Sequence, residues 1–448
     1  MQLSTRKMLD RALSGTGFFS ILLMAAALLV LIVPIAQRGI GAIFFDATVE
    51  HRRMMLEQFH NGDPIMVKME IAEAEIAREP VVAMLTNYAA QIESLPFSQK
   101  KKAKSEFKEV RNALAVLLGP IPGDEKPMMI HSQYGQTRWD RAEVKLEKVL
   151  FAEEYDYSDK SGMGKKVLVP RGEHFKGTTL EPMFAYVKDH ARDMLHPQST
   201  VYWGFFTDVS IDSHFFGGIW PEILGTLYLT LGAMLFAIPM GVIAAIYLCE
   251  YARPSPAIRI LRICISTLAG VPSIVFGLFG LAFFINTAHV SASKSVLAGS
   301  MTLALLILPT IIRASEEAIL AVPRTYKEAA LSLGGGLWHT IVKVILPAAL
   351  PGILTGIVIS MGRAAGETAP IIFTAAVSVG RPISPIEALT QPTPALPWNI
   401  YNISTEHAAV DEIRHVQFGM VLTLVTLVLL LNLTAIILRA RIAKKLKG

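Results

Sequence analysis

The sequence predicts an all-α polytopic membrane protein with about six spans and one large extramembrane insert after the first span. Three observations predict it. Hydrophobic residues make up 52% of the chain and charged residues only 18%, where soluble domains carry roughly 25% charged. Six apolar runs approach the roughly 20 helical residues needed to cross a bilayer core of about 30 Å. The charged residues crowd between Gln37 and Asp212 and leave the remainder apolar.

The first run, Phe18–Ala36, follows Arg6, Lys7 and Arg11. It is longer than a signal-peptide core and no small-x-small cleavage site follows, so it reads as an uncleaved span ended by Pro34 and Gln37-Arg38. The other runs are Ile223–Leu248, Ile263–Ile285, Val296–Leu320, Leu350–Val377 and Phe418–Leu438. Pro239, Pro309 and Pro370 lie inside them, which spans tolerate when neighbours satisfy the freed backbone groups. Recurrent small residues, among them Gly225, Gly232, Gly277, Gly280, Gly352 and Gly356, suit close helix packing. Cys249 and Cys264 imply no disulfide framework and read as two small buried hydrophobes.

Lys and Arg set the orientation. They precede span 1, follow span 6, and fill the 2–3 loop (Arg253, Arg259, Arg262) and the 4–5 loop (Arg324, Lys327, Lys343). Those segments are expected to be cytoplasmic and the insert periplasmic. The net charge of +5 thus reports orientation in a lipid bilayer rather than nucleic-acid binding. Within the insert, Asp63–Glu93 and Ser98–Leu118 have helical apolar spacing. Gly119-Pro120-Ile121-Pro122-Gly123 breaks the chain. A helix is expected near Asp140–Glu154, a strand at Lys166–Pro170, then a polar loop to Gly217-Gly218, so the insert reads as mostly helical α+β. The Lys100-Lys101-Lys102-Lys104 cluster reads as a solvated helix face.

The 4–5 loop runs Val322-Pro323-Arg324-Thr325-Tyr326-Lys327-Glu328-Ala329-Ala330-Leu331-Ser332-Leu333-Gly334 and on to Val344-Ile345-Leu346-Pro347. Thr325-x-x-Glu328 has the form of a capping box and predicts a helix start. Gly334 through Gly336 predict its end, because glycine takes left-handed angles without strain. A second short helix, Leu337–Ile345, is expected to stop at Pro347. A helix–turn–helix of this kind suits docking into a groove on another protein. The pattern Glu-Ala-Ala-x3-Gly, with Leu-Pro downstream, resembles the EAA loop of ABC importer permeases, with Val344 where that family usually has Ile. The resemblance implies the type I permease (MetI-like) fold, with Glu328, Ala329, Ala330, Gly334, Leu346 and Pro347 coupling the spans to a separate cytoplasmic ATPase.

Arg363-Ala364-Ala365-Gly366-Glu367-Thr368-Ala369-Pro370 places two charges deep in span 5. Each costs at least about 2.5 kcal/mol on insertion scales. They read either as an ion pair locking helices or as part of a substrate path, since a guanidinium fork matches a tetrahedral oxyanion. With Gly225-Thr226-Leu227 and Gly270-Val271-Pro272-Ser273, the segment is similar to the PstA-type permeases of phosphate ABC importers over about Gly217–Leu438. That resemblance implies a phosphate path at Arg363, Glu367 and Thr368. It also implies three partners: a second, PstC-like permease, a homodimeric PstB-like ATPase and a periplasmic PstS-like phosphate-binding protein. The expected organisation is 1–37 as cytoplasmic N-terminus and first span, 38–216 as periplasmic insert, 217–440 as permease core with coupling loop 321–347, and 441–448 as a basic cytoplasmic tail, in a bacterial inner membrane.

No phosphate-cradling loop of the Gly-x4-Gly-Lys-Ser/Thr type occurs. The nearest segment, Ser161-Gly162-Met163-Gly164-Lys165-Lys166, lacks the first Gly and the final hydroxyl, so ATP chemistry is assigned to a partner. No catalytic residue, metal site or cofactor is expected, and the chain is not expected to be an enzyme. Two alternatives remain open: a permease for another oxyanion, and a membrane sensor with a ligand-binding outer domain.

Overall fold

The computed structural model describes residues 3–121, 137–156, 165–407, 410 and 412–447. Pro122 and Gly123 of the expected break, and Ser161–Gly164 of the rejected phosphate loop, lie outside them. The chain forms two compact units: Met1–Ile40 with Gly204–Ser210 and Gly217–Gly448, and Gly41–Trp203 with Ile211–Phe216. The first helix, α1 (Leu3–Ile40), continues through Pro34 rather than ending there. Its large apolar side chains, from Phe18 to Val33, are exposed as lipid would require.

The second unit begins with β1 (Phe44–Ala47), α2 (Val49–Phe59), α3 (Pro64–Glu93) and α4 (Phe97–Leu118). Asp63 caps α3 by accepting from the Ile65 N–H at 2.8 Å. Then come α5 (Trp139–Leu150), β2 (Phe151–Asp156), β3 (Lys165–Pro170), α6 (Arg171–His174), α7 (Glu181–Leu195) and β4 (Gln198–Val201). The expected helix near 140–154 ends at Leu150, and β2 pairs antiparallel with β3. The expected polar loop before Gly217 instead contains α7, whose buried Met183, Phe184, Val187 and Met194 join Leu85, Tyr88, Leu114 and Val149 in one core. Polar ends are tied down: Arg78 reaches Glu50 at 3.0 Å and the Met194 carbonyl at 2.7 Å. Arg52 reaches Glu70 at 2.5 Å and the Ala47 carbonyl at 2.9 Å. Lys100 and Lys104 of the basic cluster both pair with Glu93 and hold its carboxyl down at about 2. His51 is buried among Phe45, Tyr202 and Phe216. Burial, with Arg138 and Arg52 nearby, pushes its imidazole down to about 3.

The first unit contains α8 (Trp220–Ile246), α9 (Pro256–Leu268), α10 (Ser273–Gly280), α11 (Val296–Leu320), α12 (Arg324–Ser332), α13 (Leu337–Thr340), α14 (Leu346–Gly366), α15 (Ala369–Thr374), α16 (Leu396–Thr405) and α17 (Arg414–Lys447). Five helices in the described residues are long and apolar enough to cross a membrane. The expected span Ile263–Ile285 is broken: α9 and the continuation of α10 to Thr287 meet at 102°. Pro272 cannot donate to the ladder, and Gly270 eases the turn. With that pair as one span, the count is six. The chain is a multi-pass helical membrane protein. Cys249 is half-buried but Cys264 is exposed on α9, against the reading of both as buried hydrophobes.

α8 and α11 pack along one another, and α14 packs against both, mainly against α11. Small residues allow that approach. A side chain at Gly352 would meet Ala318 at 2.7 Å, and one at Gly356 would meet Ala314 at 2.2 Å. The shared core includes Leu229, Ala233, Leu303, Ile307, Met361 and Ala364.

Candidate functional site

The α11–α14 connection departs locally from its sequence reading while keeping the helix–turn–helix. α12 starts at Arg324 with Pro323 before it, and no side chain caps it. The Thr325–Glu328 capping box does not form, because Thr325 already lies inside the helix. Gly334, at φ +83°, ends α12 in the left-handed region, as glycine allows. The segment after the turn does not stop at Pro347. α13 passes through a π-helical stretch, Ile341–Ile345, straight into α14. Pro347 sits in the first turn of α14, and the wider π pairing just before it accommodates the missing N–H. Ile341, Ile345, Ala349 and Ile353 anchor this helix against Ala245 and Ile319. Lys327 forms an ion pair with Glu250 at the end of α8. Glu328, Ala329 and Leu331 are exposed, Trp338 is 67% exposed and Leu333 91% exposed. The connection is thus anchored at its base and presents small and apolar side chains outward.

The second cluster lies at the break between α14 and α15. Continuing the antiparallel register of Gly352 with Ala318 and Gly356 with Ala314 brings Arg363 level with about Ile307, near the middle of α11. Expected span Leu350–Val377 is interrupted here: α14 ends at Gly366, Glu367 is extended, and α15 restarts at Ala369. Pro370 is responsible, since its ring would clash with the Gly366 carbonyl in a continuous helix. Arg363 Nε donates to Glu367 Oε1 at 3.3 Å, one turn apart on one face. The Arg363 side chain is 42% exposed and that of Glu367 only 19%. Thr368 Oγ1 donates to the Pro397 carbonyl at 3.4 Å. Glu367 also borders a narrow cleft whose walls include Thr226, Thr230, Leu303, Ala395 and Pro397. A cation that is fixed yet partly open, beside a carboxylate at a helix break, can hold an anion loosely.

Arg363, Glu367 and Thr368 are therefore brought together, and the residues expected to couple to an ATPase form a separate group on α12 through α14. Sequence reasoning missed a buried pair: Asn399 Nδ2 donates to Glu222 Oε1 at 3.0 Å, with Glu222 and Asn399 each 1% exposed. It named Arg262 only as a loop charge and missed its ion pair with Glu316 at 2.8 Å. A lone Glu before an apolar run was the only signal for Glu222. Among the described residues, no cluster of His, Cys, Asp and Glu could hold a metal ion.

Residues 237–448 match the family described as "Binding-protein-dependent transport system inner membrane component". A "Probable ABC transporter permease protein YqgI" of Bacillus subtilis is 35% identical over 239 residues, covering 51% of this chain and 80% of the relative. This chain is an ABC transporter permease subunit. Two further relatives of the permease are named phosphate transport system permease proteins. PstA 1 of Mycobacterium tuberculosis is 36% identical over 231 residues, 51% of the permease and 73% of the relative. PstA of Yersinia pestis is 36% identical over 226 residues, 50% and 73% respectively. The permease is a multi-pass protein of the inner membrane, and its insert lies outside the family match.

Proposed function

We propose that the permease is half of an ATP-driven importer of inorganic phosphate, with Arg363, Glu367 and Thr368 lining the anion path. The observation that carries the reading is Arg363: a guanidinium level with the middle of a span, 42% exposed, and held by a carboxylate at a broken helix. A fully buried locking pair would be closed to solvent; this one keeps part of its donor fork available to a tetrahedral oxyanion. The PstA names of its relatives supply the anion. Glu328, Ala329, Ala330, Gly334, Leu346 and Pro347 belong to the proposed ATPase dock, and the exposed Leu333 and Trp338 are side chains such a dock would bury. The partners on this reading are a PstC-like permease, a PstB-like ATPase pair and a PstS-like phosphate-binding protein. The loop would face the cytoplasm, together with both termini, and the insert the periplasm. In the assembled complex, Arg363→Gln is expected to lower uptake of radiolabelled phosphate by about a hundredfold or more, the loss of a charge-assisted contact to the anion. Uptake at the wild-type rate would remove Arg363 from the path.

A further inference from the structure

Glu222 sits in the first turn of α8 and Asn399 in α16, and both side chains are sealed from solvent. A carboxylate can only accept, so the amide must present its NH2 group to Glu222. Leaving either group buried without its hydrogen-bond partner is costly. The neighbours of the pair show what it holds. Thr226 Oγ1 donates to the Glu222 carbonyl at 2.7 Å and accepts from the Leu396 N–H at 2.9 Å. Gly225 lies so close to the Pro394 carbonyl that a Cβ would fall 1.9 Å from it. The Leu396 and Gly225 contacts fasten the segment Pro394–Pro397 to the start of α8, and Asn399 fastens the helix that follows it. Ala395 and Pro397 of that segment are walls of the cleft beside Glu367, and the Pro397 carbonyl accepts from Thr368.

We propose that Glu222 and Asn399 are positioning residues for the anion path: their hydrogen bond fixes the Pro394–Pro397 wall, and through it the place of Glu367 and Thr368. The inference rests on the reading of Arg363, Glu367 and Thr368 as the path. Neither side chain touches the anion. They act by setting the distance between the broken span and the wall that faces it.

The test uses the complete transporter in membrane vesicles, with phosphate as the probe. Wild-type uptake tests the phosphate reading, and the ratio of each variant to wild type tests the clamp, so the two can fail separately. Asn399→Asp sets two carboxylates face to face, which stay bridged only while they share a proton. The apparent KM for phosphate is expected to rise about tenfold at neutral pH, the loss of one buried hydrogen bond to a charged group. The variant-to-wild-type ratio should grow further as pH rises. Glu222→Gln combined with Asn399→Asp reverses donor and acceptor and should return KM to within about threefold, with the added pH dependence gone. A ratio near one at every pH, or a double variant no better than the single, would overturn the proposal. Should Asn399→Asp fail to assemble, Asn399→Leu decides: it removes the donor to Glu222 without adding a second carboxylate, and a raised KM supports the clamp while an unchanged KM overturns it.

Discussion

Arg363 and its carboxylate partner one turn on could be read from their spacing alone, because residues four apart on a helix share a face. The sequence did not reveal that the helix stops at Gly366, between the two, or that Glu367 is extended. The break matters for the chemistry: it frees Glu367 from the helical ladder while the Arg363 backbone stays fixed. If the planar donor fork is what recognises the anion, Arg363→Lys should keep the charge yet lose about tenfold in phosphate uptake, a milder effect than Arg363→Gln. A lysine variant at the wild-type rate would show that charge suffices. His51 gives a prediction in the insert. Its native imidazole titrates at about 3, against about 6.5 in an unfolded chain. Between those values the unfolded chain binds a proton that the native state refuses. Stability of the 41–203 unit is therefore lost as pH falls below about 6.5. Protection factors of that unit, taken relative to the intrinsic exchange rate at each pH, should fall on acidification, and His51→Phe should flatten the response. An unchanged slope would mean that other groups dominate.

At the scale of elements, helices with a plain apolar period were legible to within a few residues. Expected Asp63–Glu93 is Pro64–Glu93, and expected Ser98–Leu118 is Phe97–Leu118. α7 was missed although Met183, Phe184, Val187, Ala191 and Met194 repeat at helical spacing; its burial comes from contacts distant in sequence. The Pro347 stop failed for a related reason. A proline ends a helix only when the lost bond cannot be re-paired, and the π stretch re-pairs it. Two substitutions test these elements, one through backbone strain and one through packing. Gly334→Val forces a β-branched residue to φ +83°, a strain of about 1–3 kcal/mol. On the proposed coupling role, it should leave ATP hydrolysis running while uptake falls, measured as phosphate moved per ATP. Gly356→Leu puts a side chain where a Cβ alone would sit 2.2 Å from that of Ala314. It should destabilise the α11–α14 contact by about 1–3 kcal/mol, read as a lower melting temperature of the purified subunit. A melting temperature equal to wild type would mean that the helices do not meet there.

For the whole molecule, orientation is the property still carried by the distribution of Lys and Arg. In vesicles carrying the permease without an ATPase partner, a single cysteine at Leu333, with Cys249 and Cys264 replaced, should react with an impermeant maleimide in inside-out vesicles only. One at Lys101 in the insert should react in right-side-out vesicles only. Labelling of both from the same side would reverse the proposed topology. The sequence by itself determined the membrane character, the apolar runs, the insert after the first span and the residues of the coupling pattern. These depend on composition and local spacing, which survive without any knowledge of neighbours. Only the tertiary structure decided where the runs break, how Gly352 and Gly356 seat α14 on α11, and that Glu222 and Asn399 meet across 177 positions. A hydrogen bond between buried groups that far apart leaves no periodic trace, because its partner is chosen by packing and not by spacing.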